Sequence, residues 1–440
     1  MADTSTLRAL SSHRFMARFR SWWSRARTSF LWMVVIGFAL RLALIFLNRT
    51  YRFYSVDHNF SFGWEMGSIG RALAAGQGFS NPFRLVTGPT AWEPPLYPFL
   101  IAGVFKLFGI YSIASAIVLL AINSVFSALT SVPVFLIARR CFGEKIAVWT
   151  AWLWALLPWV MYWATRWVWE TSLAALLLAA IFWLTLELED ENDWKMWLGF
   201  GLLWGAAALT NTSLLAFLPA SGLWIVFHHA KRRKGWVAGA TLASLIFMAC
   251  IAPWIARNYR VFGKFIFIRD NFGAELRIGN GPGADGTWQQ YLHPTQNLYQ
   301  MRRYRELGEL GYIATRKREA LEFIRQDYGR FLFLCTKRFI YYWAGVPRLA
   351  EIAWLAPFKN SVFLASSVLA FWGLGRALRL KKPGAGLFFW LILLYPAVYY
   401  LVFPHPRYRH PIEPELAVLI VYVISEASGK AKSSNADGPQ

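Results

Sequence analysis

Residues 57–98 read DHNFSFGWEMGSIGRALAAGQGFSNPFRLVTGPTAWEPPLYP. The stretch lies between two strongly apolar segments, yet it is polar, aromatic and punctuated by Gly and Pro. It exceeds the roughly 15 residues beyond which a loop in a compact protein is functional or disordered. Trp64, Phe79, Phe83, Trp92 and Tyr97 give it side chains to pack with, which favours a structured, functional loop. Glu65 opens a run with Met66, Ile69 and Leu73 at helical spacing, and Gly76 supplies the residue that ends such a helix. This predicts an amphipathic helix on a membrane surface, with Glu65 at its N-terminus. There the helix dipole favours the charged carboxylate. Glu65 is then either a general base or simply a cap, and the residues alone leave both open.

The surroundings decide that the surface is a membrane. The chain is 56% hydrophobic and 16% charged, with mean hydropathy +0.35, unlike a soluble domain. Apolar runs occur at about 31–48, 112–138, 146–165, 170–188, 197–211, 212–229, 236–256, 359–379, 385–403 and 412–426. They approach or exceed the roughly 20 residues that cross a bilayer. The fold class predicted is an all-α polytopic membrane protein with about ten transmembrane helices, juxtamembrane helices and outer-face loops. The 197–211 and 212–229 runs meet at Thr210–Ser213 as a hairpin or one bent helix. Leu96–Gly109 and Phe331–Gly345 are short for spans.

A net charge of +22 raises nucleic acid as a partner, but the basic residues cluster between apolar runs, as in cytoplasmic loops beside anionic lipid. Nucleic acid is therefore excluded as a partner, and membrane lipids are expected instead. The positive-inside rule puts the leader (Arg8, Arg14, Arg18, Arg20, Arg25, Arg27) in the cytoplasm. With Leu96–Gly109 lying flat, Arg139-Arg140, Lys231–Lys234, Arg376–Lys382 and the Lys430/Lys432 tail all fall inside. If that segment crossed, every later basic cluster would flip outside. The division expected is a basic leader (1–30), an N-terminal transmembrane module (31–256) carrying the outer loop 49–111, an outer-face segment (257–358), C-terminal transmembrane helices (359–426) and a disordered tail (427–440). The leader lacks a cleavage pattern, so the first apolar run is read as an anchor. Both termini are cytoplasmic. The three cysteines, Cys141, Cys250 and Cys335, show neither metal-ligand spacing nor a disulfide framework.

Outer-face acids are few enough to take singly: Asp57, Glu65 and Glu93 in the first loop, and Glu170 where two spans meet. A second cluster is Phe403-Pro-His-Pro-Arg-Tyr-Arg-His-Pro-Ile-Glu-Pro414. Its prolines predict an extended, stiff segment presenting His405, Arg407, Arg409 and His410. Cations on the outer face run against the positive-inside tendency, and guanidinium groups match phosphate oxygens; lipid-headgroup contact is the alternative. A third cluster, Arg269–Asn280, has the Gly and Asn content of a shaped loop, lining a sugar or acceptor pocket or purely structural. Arg41, inside the first span, is costly unless paired or snorkelling towards a lipid phosphate. The tryptophans from Trp149 to Trp169 anchor at the interface or, near Glu170, stack on sugar. The histidines form no metal motif, so neither a divalent metal nor another cofactor is required by any visible pattern.

The order of these motifs resembles a known family. Ile69-Gly-Arg-Ala-Leu-Ala-Ala-Gly-Gln-Gly-Phe79, Trp92-Glu-Pro-Pro-Leu-Tyr-Pro98, Lys106-Leu-Phe-Gly109 and the late Arg407-Tyr-Arg-His-Pro-Ile-Glu-Pro414 are similar to GT-C glycosyltransferases of family 39, the protein-mannosyltransferase and lipid A aminoarabinose-transferase group. The resemblance covers residues 35–215 best. It implies an enzyme of a bacterial inner membrane that moves a sugar, with inversion, from a polyprenyl-phosphate carrier to a lipid or protein acceptor on the outer face. The catalytic acid carries over to Glu65, about three positions off the family alignment, with Asp57 second. Arg407, Arg409, His410 and Arg269 are expected at the donor phosphate. Trp92, Glu93, Glu170, Asn271, His405 and Tyr408 are expected around the substrate. The family's Lys between the Glu and the two prolines is missing, because Glu93 abuts Pro94. A transporter or flippase of an anionic lipid is the reading from a different class. It predicts internal repeats and helices broken at mid-membrane.

Overall fold

The apolar runs all fold as helices or broken helices. The computed structural model describes residues 29–53, 60–232, 235–347 and 355–436. Among them there is no strand, only an isolated bridge between Ser80 and Pro89. The leader, Asp57 and the last residues of the tail lie outside the described residues.

In chain order the helices are α1 (Phe30–Leu47), α2 (Glu65–Ala74), α3 (Leu96–Phe108), α4 (Ile113–Leu129), α5 (Ser131–Phe142), α6 (Glu144–Leu156), α7 (Pro158–Arg166), α8 (Thr171–Glu187) and α9 (Trp194–Thr210). Then follow α10 (Leu218–Lys231), α11 (Val237–Phe262), α12 (Phe272–Gly279), α13 (Leu298–Gln326), α14 (Tyr328–Ala344), α15 (Leu355–Arg379), α16 (Ala385–Leu394), α17 (Ala397–Leu401), α18 (Pro406–Arg409) and α19 (Glu413–Ala436). Among the described residues five segments are long and apolar enough to cross a membrane, or up to six if the pair α6–α7, bent by 43°, is one span. They mark an integral membrane protein. Ten crossings exceed what length and hydropathy alone give, since several of the expected spans fold as shorter helices.

Local chemistry explains the breaks. Asn211 leaves α9 in extended backbone, and its side chain accepts from the Ser213 N–H to start a 3-10 turn over Thr212–Phe217. Pro158 has no N–H to return to the preceding turn, so α6 stops at Leu156 with the carbonyls of Trp154 and Ala155 unused. Arg41 takes them. Its guanidinium, fully buried, donates to Ala155 O at 2.9 Å, Trp154 O at 3.4 Å, Gly37 O at 2.8 Å and Ser127 Oγ at 3.1 Å. The snorkelling expected of Arg41 is therefore replaced by an internal role, stitching α1 to the bend between α6 and α7. Where α9 packs on α11, Gly201 faces Ala243 and Gly205 faces Cys250, and a Cβ at either would collide. Small residues let two membrane helices approach this closely.

Helices α2 and α3 pack together. Helix α2 buries Met66, Ile69 and Ala72, and Gly76 follows its end at φ +77°. Helix α3 is anchored by Tyr97, whose hydroxyl donates to Asn123 Oδ1 of α4 at 2.8 Å. Helix α13 breaks at Gly308, where φ is +66°, so α12 and the two halves of α13 wrap over the loop carrying Trp92 and Glu93.

Candidate active site

Glu65 is the first residue of α2 and is buried. Trp64 before it has φ +42°, a conformation that costs a bulky residue about 1–3 kcal/mol and concentrates at functional sites. The Glu65 carboxylate is met from above by the loop that joins α12 to α13. Thr295 Oγ1 donates to Glu65 Oε1 at 2.9 Å, and His293 Nε2 lies 3.4 Å from the same oxygen. Burial pushes the carboxyl up to about 7, opposed by its backbone and Thr295 hydrogen bonds and by Arg407, and reinforced by Glu275.

Glu93 immediately precedes the rigid Pro94-Pro95 pair that leads into α3. The Asp270 N–H donates to Ala91 O at 2.9 Å, and this tie brings Arg269 beside Glu93, Nη1 to Oε2 at 3.9 Å. Burial pushes Glu93 up to about 7 against the pull of Arg269. Asn271 heads α12, and its amide donates to Glu275 Oε1 at 3.2 Å. Burial also takes Glu275 up to about 7, with Arg269 opposing it. Glu170, at the start of α8, accepts from Asn211 Nδ2 at 3.2 Å on Oε1.

The fourth wall comes from the far end of the chain. The expected extended Pro segment is instead helical: α18, a 3-10 turn over His410–Ile412, then α19. Pro406 and Pro411 sit in first-turn positions, which proline tolerates because no N–H is needed there. His405 Nδ1 accepts from the Arg407 N–H at 3.1 Å and caps α18. Arg407 reaches the chamber with its guanidinium over Trp169, and Tyr408 stacks on Tyr399 with ring centres 4.6 Å apart. Arg409 also lines the cavity, whereas His410 does not. Arg409 is bound to Glu413 Oε1 at 2.6 Å, Ser367 Oγ at 2.7 Å and Ser366 Oγ at 2.6 Å, a set that leaves its guanidinium committed to the protein. His410 is fully buried between Trp154 and Trp163, away from the cavity wall.

These groups line one cavity of about 1530 Å³. Its polar end is made by Glu65, Glu93, Glu170, Arg269, Glu275 and Arg407. Three buried atoms there have no hydrogen-bond partner among the described residues: Arg269 Nε, Arg407 Nε and Glu170 Oε2. Such atoms call for a polar ligand. The other end runs between α7, α15 and α19, walled by Trp159, Trp163, Val362, Leu369, Ile420 and Ile424. Among the described residues no group of three or more His, Cys, Asp or Glu is placed to hold a metal ion.

Glu275, His293, Thr295 and Asn211 were not singled out from the sequence. Glu275 was inside the Arg269–Asn280 cluster, and its carboxylate was the available signal. His293 sits in no recognisable pattern.

Residues 92–256 match the family model described as dolichyl-phosphate-mannose-protein mannosyltransferase. No curated protein sequence matches the chain. Among solved structures it is similar to the oligosaccharyltransferase AglB of the archaeon Archaeoglobus fulgidus, in complex with an inhibitory peptide and a dolichol-phosphate. The identity is 14%, over 96% of this chain and 53% of AglB, with a TM-score of 0.57. The apo form of the Archaeoglobus fulgidus oligosaccharyltransferase gives 15% identity over 92% and 51%, with a TM-score of 0.54. Apo ArnT from Cupriavidus metallidurans gives 14% over 83% and 56%, with a TM-score of 0.48. The chain spans about half the length of AglB. With the helical fold of AglB, and the mannosyltransferase pattern over residues 92–256, the chain resembles the GT-C glycosyltransferases of family 39.

Proposed function

We propose that the chain is an inverting glycosyltransferase that moves a sugar from a polyprenyl-phosphate carrier to a lipid or protein acceptor. The observation that carries this is the two-part cavity, whose carboxylate and guanidinium chamber opens into an apolar groove along α7, α15 and α19. A substrate with a charged head and a long apolar tail fits both parts at once. Arg269 and Arg407, each with an unpaired Nε, hold the phosphate. Glu65 takes the proton from the acceptor as its oxygen or nitrogen bonds to the anomeric carbon. The bond from that carbon to the phosphate oxygen breaks, and polyprenyl phosphate leaves with the electron pair. A carboxyl titrating near 7 suits a base at neutral pH. Phosphate is a good leaving group, so alignment of the two substrates supplies most of the rate. Glu93, Glu170 and Asn271 orient the sugar, and Trp92, His405 and Tyr408 complete the wall. Asp57 is the second candidate base. No cofactor beyond the lipid-linked donor is called for.

In this reading the ten apolar segments cross a bacterial inner membrane, α3 lies flat, both termini are cytoplasmic, and 49–111 and 257–358 meet on the outer face. Transfer of labelled sugar from a panel of polyprenyl-phosphate sugars by the purified protein tests it, with Glu65→Gln and Asp57→Asn beside wild type. Glu65→Gln is expected to lose at least about 100-fold in kcat. Full activity in both variants sinks the base assignment. No transfer from any donor, together with ATP-independent movement of the lipid across vesicles, favours a flippase.

A further inference from the structure

The base proposed above is held by a loop from a distant part of the chain. His293 is buried inside a ring of aromatic side chains: Trp64 stacks on it at 6.2 Å between ring centres, and Trp92, Trp288 and Phe83 lie at 6.0 Å. Burial lowers its pKa to about 3, so the imidazole is neutral at any working pH. A neutral imidazole carries one proton, and its place is set by what the other nitrogen does. Here the backbone N–H of Thr295 donates to Nδ1 at 3.2 Å. Nδ1 is therefore an acceptor, and the proton sits on Nε2, which lies 3.4 Å from Glu65 Oε1. That distance is long for a hydrogen bond, but catalytic contacts tighten when substrate binds. Thr295 Oγ1 donates to the same Oε1 at 2.9 Å. Both side-chain donors fall on one oxygen, which leaves Oε2 as the oxygen to receive a proton.

We propose that His293 is a positioning residue for Glu65: a neutral imidazole locked in one tautomer that, with Thr295, fixes the carboxylate and holds it ionised. The inference rests on Glu65 being the base. The other charged groups facing Glu65 are Glu275 on α12 and Glu93 before α3, which disfavour its ionisation, and Arg407 on α18, which favours it. Removing a donor from a carboxylate destabilises its charged form, so its pKa rises.

His293→Phe keeps the aromatic packing and removes the Nε2 donor, together with the Nδ1 acceptor of the Thr295 N–H. Its acid limb in kcat/KM is expected to move up by about one pH unit, which is roughly a fivefold loss at pH 7 that disappears at high pH. His293→Gln, which offers an amide donor at similar reach, is expected to restore the wild-type limb, and Thr295→Val to shift it in the same direction as His293→Phe. The titration of Glu65 is read independently of turnover by infrared difference spectroscopy of the protonated carboxyl band, assigned with Glu65→Gln. An unchanged Glu65 titration in both His293→Phe and Thr295→Val overturns the proposal. A loss in His293→Phe that is equal at every pH does so too, since it marks a merely structural role. If Glu65→Gln keeps full activity while the infrared shift appears, the base assignment fails and the His293 contact stands.

Discussion

Arg407 sits over Trp169, with its guanidinium carbon 3.3 Å from the centre of the ring. The indole face orients a planar cation and shields it on one side, which leaves its edge for a phosphate. Lysine has the charge without the plane. Arg407→Lys is expected to raise the KM for the lipid-linked donor roughly tenfold, equivalent to about 1.4 kcal/mol and within the range of a desolvated cation over an aromatic ring. Steady-state kinetics at fixed acceptor check this, and an unchanged donor KM would remove Arg407 from the phosphate site.

Stability should fall as pH rises through neutrality. Burial raises Glu65, Glu93, Glu275 and Glu309 to about 7 in the folded protein, from an unfolded value near 4.5. At these four carboxyls the folded state then holds more protons than the unfolded state between these values, so their contribution to stability is full below about 4.5 and is lost as pH climbs through about 7. The melting temperature in detergent, measured from about pH 6.5 to pH 8, above the range in which the buried neutral His293 acts in the opposite direction, is expected to decline. Glu309→Gln, neutral throughout, should flatten part of that slope. A curve that rises over the same interval contradicts the assignment.

Arg41 predicts a stability effect without a kinetic one. Arg41→Leu leaves the carbonyls of Trp154 and Ala155 without their donor in an apolar interior. The cost is on the order of 1–3 kcal/mol, seen as a lower melting temperature. The donor KM of the folded fraction should stay as in wild type. A donor KM that rises with no loss of stability would instead give Arg41 a part in lipid binding.

Gly279 ends α12 against the chain that leaves α17, and an added methyl would overlap the carbonyl oxygen of Val402. Arg338 donates to Gly279 O and to Leu401 O, and Asn280 also donates to Leu401 O. Gly279→Ala must push this joint apart. We expect a loss of about 1–3 kcal/mol and a weaker donor affinity, because Val402 and Phe403 line the cavity. Differential scanning fluorimetry alongside donor titration distinguishes it from a silent substitution.

The helices were legible because each apolar run is continuous, and α2 begins at Glu65 as its spacing implied. The break at Asn211 fell at the Thr210–Ser213 junction that the sequence marked, whereas the break at Leu157, set by Pro158, cut a run that reads as continuous from 146 to 165. The late cluster shows the cost of a wrong local conformation. In an extended chain Arg407 and Arg409 would share a face, being two residues apart. In a helical turn they lie roughly 200° apart. Both still line the cavity, Arg407 at its polar end and Arg409 where it is bound to Glu413 and to α15. His293 and Thr295 meet Glu65 across more than two hundred residues, a separation at which no local pattern carries information.

Glu309 accepts hydrogen bonds from the Thr90 hydroxyl, from the Ala91 N–H at 2.6 Å and from the Tyr304 hydroxyl at 2.5 Å. The first two donors precede Trp92-Glu93, whereas Glu309 itself belongs to the second half of the chain. The segment that matches the mannosyltransferase pattern, residues 92–256, is thus not a transplantable cassette. A chimaera that exchanged everything up to residue 256 for a relative's would set foreign residues at positions 90 and 91 against this chain's own Glu309. Grafting between such proteins should succeed only where the segment around Glu309 travels with the loop it fastens.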